Sequence, residues 1–108
     1  MVLLRITYRL RAHHMPQFER IFDAEILPLI REHGLSFKSI WRTAVGEVGE
    51  YMELWEFDSL ADFDVRWKKL INDPRLQAIF ERTGPMVEGE RWSLMEPALE
   101  AESGRDAS

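Results

Sequence analysis

Apolar and polar side chains alternate from the start of the chain. Leu4, Ile6, Tyr8 and Leu10 take every second position, with Arg5, Thr7, Arg9 and Arg11 between them. A period of two predicts a strand with one apolar and one mixed face. The period then lengthens. Phe18, Ile21, Phe22, Leu29 and Ile30 recur at helical spacing behind Met15-Pro16, and Gly34 supplies a C-terminal stop. Pro28 lies inside this pattern. It removes a backbone donor and crowds the preceding turn, which predicts a bend and not two separate elements.

Phe37 to Val45 alternates again, placing Phe37, Ser39, Trp41, Thr43 and Val45 on one face and Lys38, Ile40 and Arg42 on the other. Gly46 and Gly49 bracket a turn, and Tyr51 to Phe57 follows as the return strand of a hairpin. Ser59, with Asp62 three residues on, predicts the cap of a helix whose apolar stripe is Leu60, Phe63, Trp67, Leu70 and Ile71. Asn72-Asp73-Pro74 breaks that helix and caps another, with Leu76, Ile79 and Phe80 as its buried face. Gly84-Pro85 stops it, and Val87 to Met95 reads as a last strand. The polar, small-residue-rich stretch from Pro97 predicts a disordered tail, giving a domain over 1–96 and a tail over 97–108.

The order β-α-β-β-α-α-β predicts an α+β, ferredoxin-like split βαβ fold: a four-stranded antiparallel sheet with its helices on one face. No element remains to cover the other face. On the first strand, Leu4 to Leu10 suit the helix side. On the third, Met52 and Leu54 suit it, which leaves Tyr51, Glu53, Trp55 and Phe57 on the open side. Aromatic side chains in water make a costly patch, so the pattern predicts a homodimer that stacks sheet on sheet about a two-fold axis.

Composition narrows the class of partner. A chain of 108 residues suits one domain, and 45% apolar with 31% charged residues is an ordinary globular balance. A net charge of −5 without a basic run argues against nucleic acid. The absence of cysteine removes disulfides, thiolate nucleophiles and Cys-based metal sites. Arg5 and Arg9 interrupt the N-terminal apolar stretch, so it does not read as a signal peptide. No segment reaches the roughly 20 apolar residues of a membrane span. These features predict a cytoplasmic protein with neither membrane nor nucleic acid as partner.

The candidate chemistry lies on the first and third strands, which are neighbours in this fold. On the face assignment above, Arg5, Thr7 and Arg9 share a surface with Tyr51, Glu53 and Trp55, and Trp41 adds a flat wall. These seven form the candidate ligand-binding set. A carboxylate beside a guanidinium in a partly apolar cavity could act as a base of tuned pKa, which makes Glu53 and Arg9, with His14 at the strand-to-helix passage, the candidate catalytic residues. The plainer alternative is a cross-strand Arg–Glu pair that fixes register. His13 and His14 are adjacent on a loop, a poor spacing for a metal, and His33 suits the charge at a helix C-terminus. Arg66, Lys68 and Lys69 are offset by Asp62 and Asp64 and read as a solvated helix face. No Gly-rich phosphate loop, nucleophile elbow or dinucleotide fingerprint is present, so neither cofactor nor metal is expected.

The run Trp41-Arg42-Thr43-Ala44-Val45-Gly46, then Leu54-Trp55-Glu56-Phe57-Asp58-Ser59-Leu60-Ala61-Asp62, resembles the NIPSNAP family. So do Leu27-Pro28-Leu29 before Glu32-His33-Gly34, and Asn72-Asp73-Pro74. The resemblance runs from about Leu4 to Met95. It implies a ferredoxin-like fold assembled as a dimeric α/β barrel, and it carries no catalytic motif. By fold analogy alone it reaches antibiotic-biosynthesis-type monooxygenases, haem-degrading enzymes and muconolactone isomerases. Two functions follow. One is a small molecule bound in the barrel cavity of a homodimer, with cofactor-independent oxygenase, isomerase or cyclase chemistry there. The other is a non-catalytic structural or interaction dimer with a filled interior. A cavity of ~300 Å³ or more, on which Arg and Glu or Tyr converge, favours the first.

Overall fold

The computed structural model describes residues 1–99; residues 100–108, most of the expected tail, lie outside the described part. Strands β1 (Val2–Leu10), β2 (Ser36–Arg42), β3 (Glu50–Phe57) and β4 (Val87–Met95) form one antiparallel sheet in the order β2-β3-β1-β4. This is the ferredoxin-like split βαβ arrangement that the order of elements predicts. Helices α1 (Met15–Ile21), α2 (Leu27–Glu32), α3 (Leu60–Ile71) and α4 (Pro74–Thr83) supply the second layer.

Local chemistry explains the helix boundaries. α1 and α2 run on through a π-helical turn, Phe22–Ile26, so Pro28 leaves the helix unbroken. The Leu27 N–H bonds the Phe22 carbonyl, five residues back, immediately before the proline that lacks an N–H. Gly34 ends α2 at φ +70°, with its N–H on the Arg31 carbonyl and the Leu35 N–H on that of Ile30. Ser59 caps α3 by accepting the Asp62 N–H at 3.0 Å. Asp73 caps α4 by accepting the Arg75 N–H at 2.9 Å, and its other oxygen lies 2.9 Å from His33 Nε2. Arg75 bonds both Asp73 and Glu32, so this network ties the end of α2 to the start of α4. The Arg75 and His33 hydrogen bonds hold the Asp73 carboxyl well below the usual carboxylate range.

Leu4, Ile30, Leu70 and Leu76 are fully buried between sheet and helices. Register decides which residues face this core, and it corrects the expected assignment on β3. Tyr51, Glu53, Trp55 and Phe57 stand opposite Tyr8, Ile6, Leu4 and Val2, and so share the helix-facing side. Met52 and Leu54, opposite Thr7 and Arg5, are on the open side. Both faces of β3 are apolar, so alternation alone could not choose between them. The bulkier aromatic set takes the deep core, where Phe57 is packed edge-on to Phe63 and Trp55 edge-on to Trp67.

β2 departs from the sequence pattern for a different reason. Its register with β3 slips between Phe37 and Ser39, so Phe37 pairs with Trp55 and Ile40 with Glu53, both on the helix side. Ser39 and Trp41 pair with Leu54 and Met52 on the open side. The bulge breaks the strict alternation that put Phe37 and Trp41 on one face. The strand also ends at Arg42, short of Val45.

The open face is consequently mixed rather than aromatic. It carries Leu3, Met52, Leu54 and Met95 among Arg5, Arg9 and Arg91, with Trp41 61% exposed. On α3, Arg66 pairs with Asp62 at 2.9 Å and Lys68 with Asp64 at 3.0 Å, as expected of a solvated helix face. No described helix is long and apolar enough to cross a membrane.

Candidate functional site

A cavity of about 500 Å³ lies between the sheet and the helices. Its floor is the inward face of β1, β3 and β4, with Ile6, Tyr8, Glu53, Trp55 and Trp92. Phe18, Phe22, Ile26 and Ile30 form one wall, and Trp67, Leu70, Leu76 and Phe80 the other. Trp92, opposite Ile6 on β4, remains 46% exposed although its ring meets Trp67 edge-on at 5.1 Å. Phe80, Gly84 and Glu90 are also exposed lining residues, which places the mouth between α4 and β4.

Glu53 is the polar centre of this space. It is only 7% exposed, in a strand whose alternate residues are otherwise aromatic. Its Oε2 accepts the Tyr8 hydroxyl at 2.5 Å and its Oε1 accepts the Trp55 indole N–H at 3.0 Å. Burial pushes the Glu53 carboxyl above its ordinary value, the two hydrogen bonds oppose that rise, and the charge of Glu90 adds to it. Burial, followed by the Glu53 charge and hydrogen bond, drives the Tyr8 phenol above its usual range. The pair can therefore hold a proton that a free carboxylate would have released, at a carboxyl oxygen that lines a cavity.

The candidate residues divide between the two faces of the sheet. Glu53 and Trp55 line the cavity just described. Arg5, Thr7, Arg9 and Trp41 instead border a depression of about 580 Å³ on the open face, together with Arg42 and Arg91. Tyr51 is buried on the helix side, borders that depression, and donates its hydroxyl to Glu19 at 2.6 Å. Burial and that hydrogen bond raise its phenol. The expected pairing of Arg5 or Arg9 with Glu53 does not form, because Arg5 and Arg9 project from the opposite face. Arg9 reaches Glu47 at 3.5 Å instead, and Trp41 donates its indole N–H to Ser39 at 2.9 Å.

His14 ends the 3₁₀ turn Ala12–His14, with its ring centroid 4.0 Å from that of His13, and it borders neither cavity. His33 bonds Asp73, outside both. The sequence reading passed over Tyr8, Trp92 and Glu90. Tyr8 could have been found from register: a phenol on the inward face of β1 meets whatever polar residue β3 turns inward. For Glu90 the signal was ambiguous, because it is in phase with the inward Trp92 and Leu94 but out of phase with the inward Val87 across a bulge. There the β1–β4 register shifts between Thr7 and Arg9, beside Gly89.

Comparison with known proteins places this chain in a family. A structure of an uncharacterized NIPSNAP domain protein from Burkholderia xenovorans is 25% identical, with a TM-score of 0.83 over 94% of this chain and 98% of that one. A NIPSNAP family protein of unknown function from Agrobacterium tumefaciens is 24% identical, with a TM-score of 0.84 over 94% of this chain and 91% of that one. A protein named as a candidate antibiotic biosynthesis monooxygenase from Deinococcus radiodurans shares the fold at 13% identity, with a TM-score of 0.69 over 94% and 96% of the two chains. No curated protein matches the chain. The NIPSNAP family profile matches residues 3–99, and with that match over nearly all of the described structure the chain belongs to the NIPSNAP family.

Proposed function

We propose that this protein binds a small, mostly apolar molecule in the cavity between sheet and helices, with a polar group of that molecule facing Glu53. The observation that carries the reading is a carboxyl 7% exposed that lines a cavity of about 500 Å³ walled mostly by apolar and aromatic side chains, with Glu90 at its mouth. A core built only for stability would be close-packed and would leave no such space. The reading moves the expected ligand site from the open face to the helix side, and it favours ligand binding over a purely structural dimer. In an enzymatic role Glu53 is the proton acceptor or donor, Tyr8 holds its orientation, and the apolar walls exclude water. Those parts suit a cofactor-independent proton transfer, as in an isomerase, a cyclase or the deprotonation step of an oxygenase.

Menthol is a suitable first probe, being apolar, of fitting size, carrying one hydroxyl donor, and transparent where tryptophan absorbs. Calorimetric titration should give saturable one-to-one binding, with a matching change in tryptophan emission because Trp55, Trp67 and Trp92 line the cavity. The emission change should persist in Trp41→Phe, since Trp41 is on the other face. Heat without saturation, or a signal that vanishes with Trp41, would contradict the reading.

The homodimer remains part of the proposal, on different residues from those first expected. Leu3, Met52, Leu54, Met95 and Trp41 make the open face apolar enough to favour stacking against a second sheet. Sedimentation should give about twice the monomer mass of 12.7 kDa; a monomer at high micromolar concentration would remove this element.

A further inference from the structure

The side chains that line the cavity have a one-sided chemistry. Two carboxylates face it, Glu53 at its floor and Glu90 at its mouth, and among the described residues no lysine, arginine or histidine lines it. Of the arginines on the sheet, Arg5, Arg9 and Arg91 project from the open face, while Arg42, opposite Tyr51 on the edge strand β2, is held by Glu19 of α1. Aromatic rings supply much of the remaining wall. Trp55 and Trp67 meet edge-to-face at 5.0 Å, Trp67 and Trp92 at 5.1 Å, and Tyr8 and Phe18 at 5.7 Å. Aromatic walls with carboxylates and no competing cation are the surroundings that attract an organic cation, because the ring faces carry negative quadrupole potential and the acids supply the counter-charge.

Resting on the reading that the cavity is a ligand site, we propose that its ligand is an apolar organic ammonium cation, with the charged nitrogen between Glu53 and Glu90 and its carbon substituents against Trp55, Trp67 and Trp92. The geometry explains two otherwise unconnected features. Both Glu53 oxygens accept hydrogen bonds, from Tyr8 and from Trp55; these donors favour the ionised form, and a cation beside them would release the proton that burial otherwise holds there. Glu90 has no cationic partner among the described ion pairs, although it stands on the inward side of a strand edge where a salt bridge would be easy to build. The same surroundings reject carboxylates and phosphates, because an anion would enter an apolar space already holding two acids.

The test uses three benzyl probes on the intact protein, with menthol as the cavity reference. Benzyltrimethylammonium, its neutral isostere neopentylbenzene and the anion phenylacetate are titrated by calorimetry and tryptophan emission. The cation should bind at least ten-fold tighter than neopentylbenzene, and phenylacetate should not bind. Glu90→Gln, a substitution at an exposed strand position that leaves the core untouched, should weaken the cation several-fold more than it weakens menthol. Equal affinity for cation and isostere, or binding of phenylacetate comparable to the cation, would overturn the ammonium assignment while menthol binding leaves the cavity reading in place. Failure of menthol and all three probes would overturn both.

Discussion

Glu53→Gln should hold the fold, raise its stability at neutral pH relative to the parent protein, and lose that advantage in acid. The sign follows from the direction of the Glu53 shift. Burial raises the folded carboxyl above the unfolded value of about 4.3, so between the two the unfolded chain has released a proton that the folded one retains. The parent protein is therefore best served by Glu53 below pH ~4, loses stability as pH rises toward the folded value, and carries a constant penalty above it. Glutamine mimics the neutral form: its amide can donate to the Tyr8 oxygen while its carbonyl accepts from Trp55. Asp73, held low by Arg75 and His33, stabilises above its unfolded pKa and loses that contribution as the pH falls. It is common to both proteins and cancels in the difference. Thermal melts across pH 3–9 should show the gap between variant and parent opening as pH rises; parallel curves would show that Glu53 is not desolvated. If the site carries out proton transfer, the same substitution should cut turnover ~10²–10⁴-fold, the ordinary contribution of a positioned acid–base group.

Alanine at Gly49 should be the most damaging single change outside the core, at roughly 2–4 kcal/mol. Two costs add. Gly49 sits at φ +98°, where an L side chain is strained, and a Cβ built there would lie 2.1 Å from the Leu10 carbonyl oxygen. That oxygen cannot swing aside cheaply, because the Leu10 N–H is already bonded to the Gly49 carbonyl at 2.8 Å and the Leu10 side chain is buried. The clash would push the end of β1 away from the start of β3, the pairing that carries Tyr8 beside Tyr51 and Ile6 beside Glu53. Circular-dichroism melts should show a fall of roughly 10–25 °C for a domain of this size. Gly34→Ala is the control. Its φ is also positive but no atom lies within 4 Å of the added carbon, so it should cost only about 1–2 kcal/mol. Equal losses at the two glycines would mean that the close approach at Gly49 is relieved without cost.

The fold was legible because the period of the apolar pattern changes cleanly along the chain, from two to 3.6 and back, with Gly34, Ser59 and Asp73 marking where helices end or begin. The helix-side face of β1 was legible for the same reason: Arg5, Arg9 and Arg11 leave no choice. β3 offered no such contrast. Met52 and Leu54 are as apolar as their neighbours, so only pairing with β1, a non-local fact, settles that Glu53 points inward. β2 hid its faces behind a bulge, which inverts alternation without any change in composition. The candidate residues were thus joined across a sheet that in fact separates them. Glu53 and Trp55 go to one side, while Arg5, Thr7, Arg9 and Trp41 go to the other. A lone carboxylate on the aromatic face of β3 is the signal that survives this correction, since such a group is buried only where hydrogen bonds or a ligand compensate it.

A crystal structure of the protein grown with menthol tests the central claim most directly, because it reports position as well as affinity. The account predicts menthol between the sheet and the helices, its hydroxyl within hydrogen-bond distance of Glu53 and its ring against Trp67 and Trp92. Menthol found instead on the open face beside Trp41 and Arg91, with the space above Glu53 filled by its own side chains, would contradict it.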